Sequence, residues 1–225
     1  MYEIEIKTLL GSRERADELK CRVVELFPAL KTLPTHKQRN HYFNIPKDLG
    51  VVERVAAPLY QSKEQREELL RILRGAKGAV SIRTRDADGA VLFVVKASIG
   101  DGTSANSVSR VEFEKPVLLT LEELDQKLVD AGLMYQAKWS REREHYDLGN
   151  INITIDKNAG YGYLAEFEKM IEDEREAEQA KQELAELMAQ LGCAELLQDR
   201  LERMFKFYNE HWKEYYGTDK TFTIE

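Results

Sequence analysis

Short segments spread along most of this sequence alternate apolar and charged residues one by one, and no other feature restricts the fold as strongly. Neighbouring side chains of a β-strand point to opposite faces, so a period of two makes one face apolar and the other charged. The opening segment puts Glu3, Glu5 and Lys7 on one face and Ile4 and Ile6 on the other. The pattern returns with Ser81, Arg83 and Arg85, with Arg110, Glu112 and Glu114, and with Arg141, Arg143 and His145. It returns again with Thr154 and Asp156, and with Glu166 and Glu168. Further strands are read from about Gln38 to Ile45 and from Ala90 to Lys96. Asp86-Ala87-Asp88-Gly89 and Leu148-Gly149-Asn150-Ile151 have the composition of hairpin turns, and Gly160-Tyr161-Gly162 of a third turn.

About eight antiparallel strands of this kind predict an α+β chain whose sheet closes, or nearly closes, into a barrel or tunnel. The apolar faces then need covering, and helices are available. Ser12 is placed to cap a helix running to about Phe27, with Leu19, Val23, Val24 and Phe27 as its apolar stripe. Residues 46–78 read as an insertion with a structural or lid role. Within it Ser62-Lys63-Glu64-Gln65 is a capping box ahead of Leu69, Leu70 and Leu73. Thr120-Leu121-Glu122-Glu123 is a second capping box, opening a helix that Gly132 closes. From about Glu172 the chain is expected to be helical, in two pieces broken at Gly192. The second carries Phe205, Tyr208, Trp212 and Tyr216, whose default role is core packing. The expected organisation is a tunnel domain over 1–170 and a helical extension over 171–225 packed on the same domain.

Composition narrows the functional classes. The formal net charge is -7, so broad binding to a nucleic-acid backbone is disfavoured, while a local basic pocket remains open. The Gly/Ser-rich run Ser98 to Ser107 is expected to be a flexible loop; it leads into a strand instead of a helix, which excludes a phosphate-binding P-loop. Cys21 and Cys193 lack motif spacing and are expected to be reduced and buried. The histidines, His36, His41, His145 and His211, have no zinc-ligand spacing. No apolar run reaches the length of a membrane span, and the N-terminus lacks a signal-peptide core, so a cytoplasmic location is expected.

The charged faces carry the chemistry. Lined up inside a tunnel they would be costly unless paired or occupied by a charged ligand. Lysines and arginines suit a polyphosphate, and clustered carboxylates suit hard divalent cations. The competing reading is an ordinary solvent face laced with cross-strand ion pairs.

Taken in order, these residues resemble the CYTH superfamily, the triphosphate tunnel metalloenzymes. Glu3-Ile4-Glu5-Ile6-Lys7 matches the family's ExExK signature. The likeness continues through Arg83-Thr84-Arg85, Lys96, Glu112-Phe113-Glu114, Arg141-Glu142-Arg143, Asp156 and Glu166-Phe167-Glu168. The resemblance implies an eight-stranded antiparallel tunnel with Lys7, Arg83, Arg85, Lys96, Arg141 and Arg143 on the triphosphate oxygens. It implies Mg²⁺ or Mn²⁺ held by Glu3, Glu5, Asp156, Glu166 and Glu168. Glu3, Glu5, Lys7, Glu112 and Glu114 are the candidates for the catalytic step, with the water-orienting carboxylate open among Glu112, Glu114, Glu166 and Glu168. Three activities fit: hydrolysis of an inorganic, nucleoside or thiamine triphosphate; cyclisation of ATP to cAMP and pyrophosphate by a class IV adenylate cyclase; or triphosphate binding without turnover. The implied partner is a small triphosphate, with an RNA 5′-triphosphate end as the one nucleic-acid exception, and the chain is expected to be a monomer or homodimer.

Overall fold

The computed structural model describes residues 2–76, 78–98 and 110–224; beyond Ser98, the expected Gly/Ser-rich loop lies outside them. In chain order the elements are β1 (Tyr2–Gly11), α1 (Arg13–Leu26), β2 (Lys31–Phe43), α2 (Gly50–Ala56), α3 (Lys63–Gly75), β3 (Val80–Ala87), β4 (Ala90–Ser98) and β5 (Arg110–Pro116). They continue with α4 (Leu121–Asp130), β6 (Tyr135–Asp147), β7 (Ile151–Asn158), β8 (Gly162–Ile171), α5 (Ala177–Gln190) and α6 (Gln198–Tyr215). The fold is therefore α+β with eight strands among the described residues, as the alternation predicts. No helix among them is long and apolar enough to cross a membrane.

The chain divides into two compact units. Among the described residues, 38–76, 78–98 and 110–139 make one, and 2–37 with 140–224 the other; β2 and β6 each run from one into the other.

In the unit containing the N-terminus, β1 pairs antiparallel with β8, β8 with β7, and β7 with β6. Ile4, Ile6, Ile153, Ile155 and Phe167 point to one face and are at most 1% exposed. Helix α1 covers that face with Ala16, Leu19 and Val23, and α5 with Leu184, Leu187 and Met188. Each of these side chains larger than alanine contributes roughly 1.5–3 kcal/mol by leaving water. Ser12 caps α1 as expected, its side chain accepting from the Arg15 N–H. Two expectations on α1 need correction. Val24 is exposed, and so is Cys21; both lie off the Ala16–Leu19–Val23 stripe. Cys193 is only half-buried. Tyr208 of α6 is fully buried. A Cβ on Gly160 would come within 2.7 Å of the Tyr208 ring, and Gly160 sits at φ +84°. This bare backbone binds the C-terminal segment, donating to the Lys220 carbonyl (2.9 Å) and accepting from the Phe222 N–H (2.8 Å).

In the other unit β2, β3, β4 and β5 form a consecutive antiparallel meander. Its apolar face gathers Phe43, Ile82, Phe93, Val95 and Phe113. The 46–78 segment folds onto it: Val52 and Ala56 of α2, Tyr60, and Leu69, Ile72 and Leu73 of α3 belong to the same buried cluster. The segment thus contributes to the core of this unit. Helix α2 escapes sequence reading because seven residues give too few turns for a 3.6-residue period to show. β2 begins earlier than expected and ends at Phe43, leaving Ile45 exposed.

Helix α4 closes over this face through Leu121, Leu124 and Leu128. Its capping box forms: the Glu123 N–H donates to Thr120 Oγ1 (3.2 Å), and the Thr120 N–H donates to Glu123 Oε2 (2.8 Å). Thr120→Ala should cost about 1 kcal/mol in chemical denaturation, the usual value of an N-cap; an unchanged midpoint would mean α4 is held by packing alone.

Candidate functional site

The polar face of each unit carries a cluster of charged side chains, and these are not water-washed. Glu3, Arg83, Arg85 and Glu166 are all 8–9% exposed, and Asp156 is 1% exposed. This overturns the solvent-face reading, since isolated surface pairs have no reason to be buried.

In the N-terminal unit, strand register decides which charges meet. Lys7 lies directly opposite Glu166, and Glu5 directly opposite Glu168. On the next pair of strands Arg143 faces Asp156. The Lys7 ammonium pairs with Glu5 and with Glu166, the latter at 3.3 Å. Asp156 accepts from Arg141 Nη1 (2.8 Å) and, bidentately, from Arg143 Nε and Nη2 (both 2.7 Å). Arg143 also donates to Glu166 Oε2, which accepts as well from the Thr154 hydroxyl at 3.5 Å. Burial works against the Arg143 charge, but Asp156 and Glu166 outweigh it and push its pKa well above the ordinary arginine value. The chain Glu5–Lys7–Glu166–Arg143–Asp156–Arg141 is therefore one continuous ionic network. β1 is also fixed from the helical side, where the Leu196 N–H donates to the Lys7 carbonyl (2.7 Å).

At one end of that network Glu3, Glu5 and Glu168 converge, each with a carboxylate oxygen within 4.8 Å of the others'. Like charges directly opposite on paired strands are destabilising, so the Glu5–Glu168 pair is a place where a cation would be welcome. The donor set suits Mg²⁺ or Mn²⁺: all are hard oxygens, and an octahedral ion with ligands at about 2.1 Å needs them roughly 3–4 Å apart. Asp156 and Glu166, the other expected metal ligands, stand instead against guanidinium groups.

In the second unit Arg85 donates from Nε to Asn40 Oδ1 (2.8 Å) and from Nη1 to Glu114 Oε1 (2.5 Å). Arg83 donates from Nη1 to the Tyr42 hydroxyl (2.7 Å) and from Nη2 to Glu112 Oε1 (3.3 Å). Lys96 Nζ lies 3.1 Å from Glu112 Oε2. Burial would raise the Glu112 pKa, but Lys96, Arg83 and Arg85 together pull it down to about 2. A carboxyl depressed on folding stabilises the fold fully above its ordinary pKa and loses that contribution as pH falls through the folded value. The stability advantage of the native chain over Glu112→Gln should thus shrink between about pH 4.5 and pH 2. Urea titrations across that window test this; a constant difference would show Glu112 to be unpaired in solution.

Asn40 and Tyr42 belong to these clusters although no site role was expected of them, and Thr154, read only as sharing the face of Asp156, joins them. The available signal was positional: Asn40 and Tyr42 alternate on β2 and lie in register with Arg85 and Arg83. His41 and His145 have structural partners, Asp125 at 2.6 Å and Asn152 at 3.0 Å.

The family model for the CYTH domain matches residues 1–200. No curated protein matches the chain in sequence. Among solved structures, a candidate adenylate cyclase from Vibrio parahaemolyticus superposes with a TM-score of 0.61 at 16% identity, covering 92% of this chain and 98% of its own. A protein from Pyrococcus horikoshii gives 0.60 at 19% identity, covering 90% and 99%. A conserved hypothetical protein from Pyrococcus furiosus gives 0.60 at 17% identity, covering 85% and 91%. At such identities these likenesses establish the fold.

Proposed function

The chain belongs to the CYTH family, and from that premise we propose that it is a metal-dependent phosphohydrolase acting on a triphosphate: inorganic, nucleoside or thiamine triphosphate. The observation that carries this reading is the carboxylate trio Glu3, Glu5 and Glu168, which puts like charges face to face on paired strands beside a buried basic network. A chain that only bound anions would have no use for such a trio.

In this reading the trio holds Mg²⁺ or Mn²⁺, which when bound neutralises charge developing on the phosphate oxygens. Phosphate-binding roles are proposed for Lys7, Arg141 and Arg143 in the first unit, and for Arg83, Arg85 and Lys96 in the second. The guanidinium groups present pairs of N–H donors with the fork geometry that phosphate oxygens accept. Their present carboxylate partners keep them oriented and desolvated, so little side-chain entropy remains to be lost on binding. One carboxylate of Glu112, Glu114, Glu166 and Glu168 would orient the attacking water.

Incubating the purified chain with tripolyphosphate or ATP and either metal, then separating the products, tests the reading. Free phosphate is expected. Production of cAMP and pyrophosphate would make the chain a cyclase, because the same phosphate clamp then presents the α-phosphorus to the 3′-hydroxyl. Tight binding without any product would make it a binding module.

A further inference from the structure

Behind the arginines of the second unit, on the opposite face of the same strands, sits a buried polar cluster that the phosphate chemistry does not use. Its centre is Asp125 of α4, which is 4% exposed. Asp125 Oδ1 accepts from the Thr84 hydroxyl at 2.6 Å, and Oδ2 lies 2.6 Å from His41 Nδ1 and 2.7 Å from the Tyr135 hydroxyl. Lys138 Nζ stands further off, 3.9 Å from Oδ2. Burial pushes the Asp125 carboxyl pKa up, but the bonds from His41, Thr84 and Tyr135 bring it below its ordinary value.

Thr84 is the residue between Arg83 and Arg85, and His41 is the residue between Asn40 and Tyr42. In the strand register Asn40 faces Arg85, His41 faces Thr84 and Tyr42 faces Arg83. Side chains alternate across a strand. Asp125, the buried carboxylate of α4, therefore grips the middle rung of a three-rung ladder whose outer rungs, on the other face, are the two arginines and their side-chain acceptors. A buried ionic cluster is weak as a stabilising device, because apolar side chains of similar volume often serve as well. What it supplies is a fixed position: each bond is directional and each partner is satisfied only in one register.

We propose that Asp125, acting through Thr84 and His41, is a positioning residue that sets the aim of the Arg83 and Arg85 guanidinium groups. The proposal rests on the phosphate-binding reading of those arginines, and its test separates the two. Thr84→Val keeps the shape of the side chain and removes the bond to Asp125; Tyr135→Phe removes a different bond to the same carboxylate. The first readout needs no ligand. Arg85 Nε–H, which donates to Asn40, should give a distinct, protected resonance in ¹⁵N spectra of the native chain, and should broaden or lose protection in both variants. An unchanged resonance in the variants overturns the proposal whatever the chain does to triphosphates. The second readout is tripolyphosphate affinity by calorimetry. Thr84→Val should weaken binding about tenfold, the equivalent of about 1.4 kcal/mol, and the same change should have no effect in an Arg85→Ala background. An equal loss in both backgrounds would show that Thr84 acts on general stability and not through Arg85, and would also overturn it. A native chain that fails to bind tripolyphosphate refutes the functional reading alone and leaves the resonance test standing.

Discussion

Asp156→Ala should destabilise the folded chain by about 3–5 kcal/mol, the cost of breaking a buried ion pair by removing one partner. Asp156 is 1% exposed and accepts three guanidinium N–H bonds from Arg141 and Arg143. Those side chains are themselves only 13% and 14% exposed. An arginine cannot shed its proton to escape a buried site as a lysine can. Both charges would stay, and Glu166, already shared with Lys7, compensates only part of one. Urea unfolding at neutral pH measures the loss. If a phosphate chain takes over these guanidinium groups, saturating tripolyphosphate should stabilise the variant more than it stabilises the native chain, since binding to the folded state adds to stability by mass action. A loss below 1 kcal/mol would put these pairs among ordinary surface pairs and remove Asp156 from the framework of the site.

The case of Asp156 also shows where sequence reading stops. Alternation in β1, β3 and β8 gave the charged faces, because a period of two fixes which side chains share a side. The hairpin at Asp86 to Gly89, the N-cap at Ser62 and the capping box at Thr120 were legible for a similar reason: their chemistry is local. Register is not local. Whether Glu168 meets Glu5 or Lys7 depends on a shift of two residues between strands far apart in sequence, and the alternating pattern is the same either way. Hence five carboxylates looked alike as metal ligands, while the structure gathers Glu3, Glu5 and Glu168 and sets Asp156 and Glu166 against cations. Asp125 was invisible for the opposite reason. One acidic residue among the four of an amphipathic helix reads as surface, and only packing onto His41 and Thr84 shows it to be interior.

Glu168→Gln should reverse the balance seen at Asp156, leaving the fold nearly intact and removing activity. Gln keeps the size of the side chain and takes one negative charge from a group of three, so the cost in metal-free buffer should stay below about 1 kcal/mol, the scale of a cross-strand pair. Hydrolysis of tripolyphosphate should fall by about 100-fold or more, because charge compensation at the reacting phosphate is the largest electrostatic contribution such a site can make. Thermal unfolding gives an independent reading of the same assignment. The native chain should gain stability as Mn²⁺ is added, by an amount that grows logarithmically with metal concentration, and Glu168→Gln should lose most of that gain, as should Glu5→Gln. Two carboxylates on neighbouring strands would then have opposite employments: Asp156 holds arginines for the fold, and Glu168 holds a cation for the reaction. A variant that melts with the native response to Mn²⁺ would take Glu168 off the metal and leave the face-to-face glutamates without a purpose.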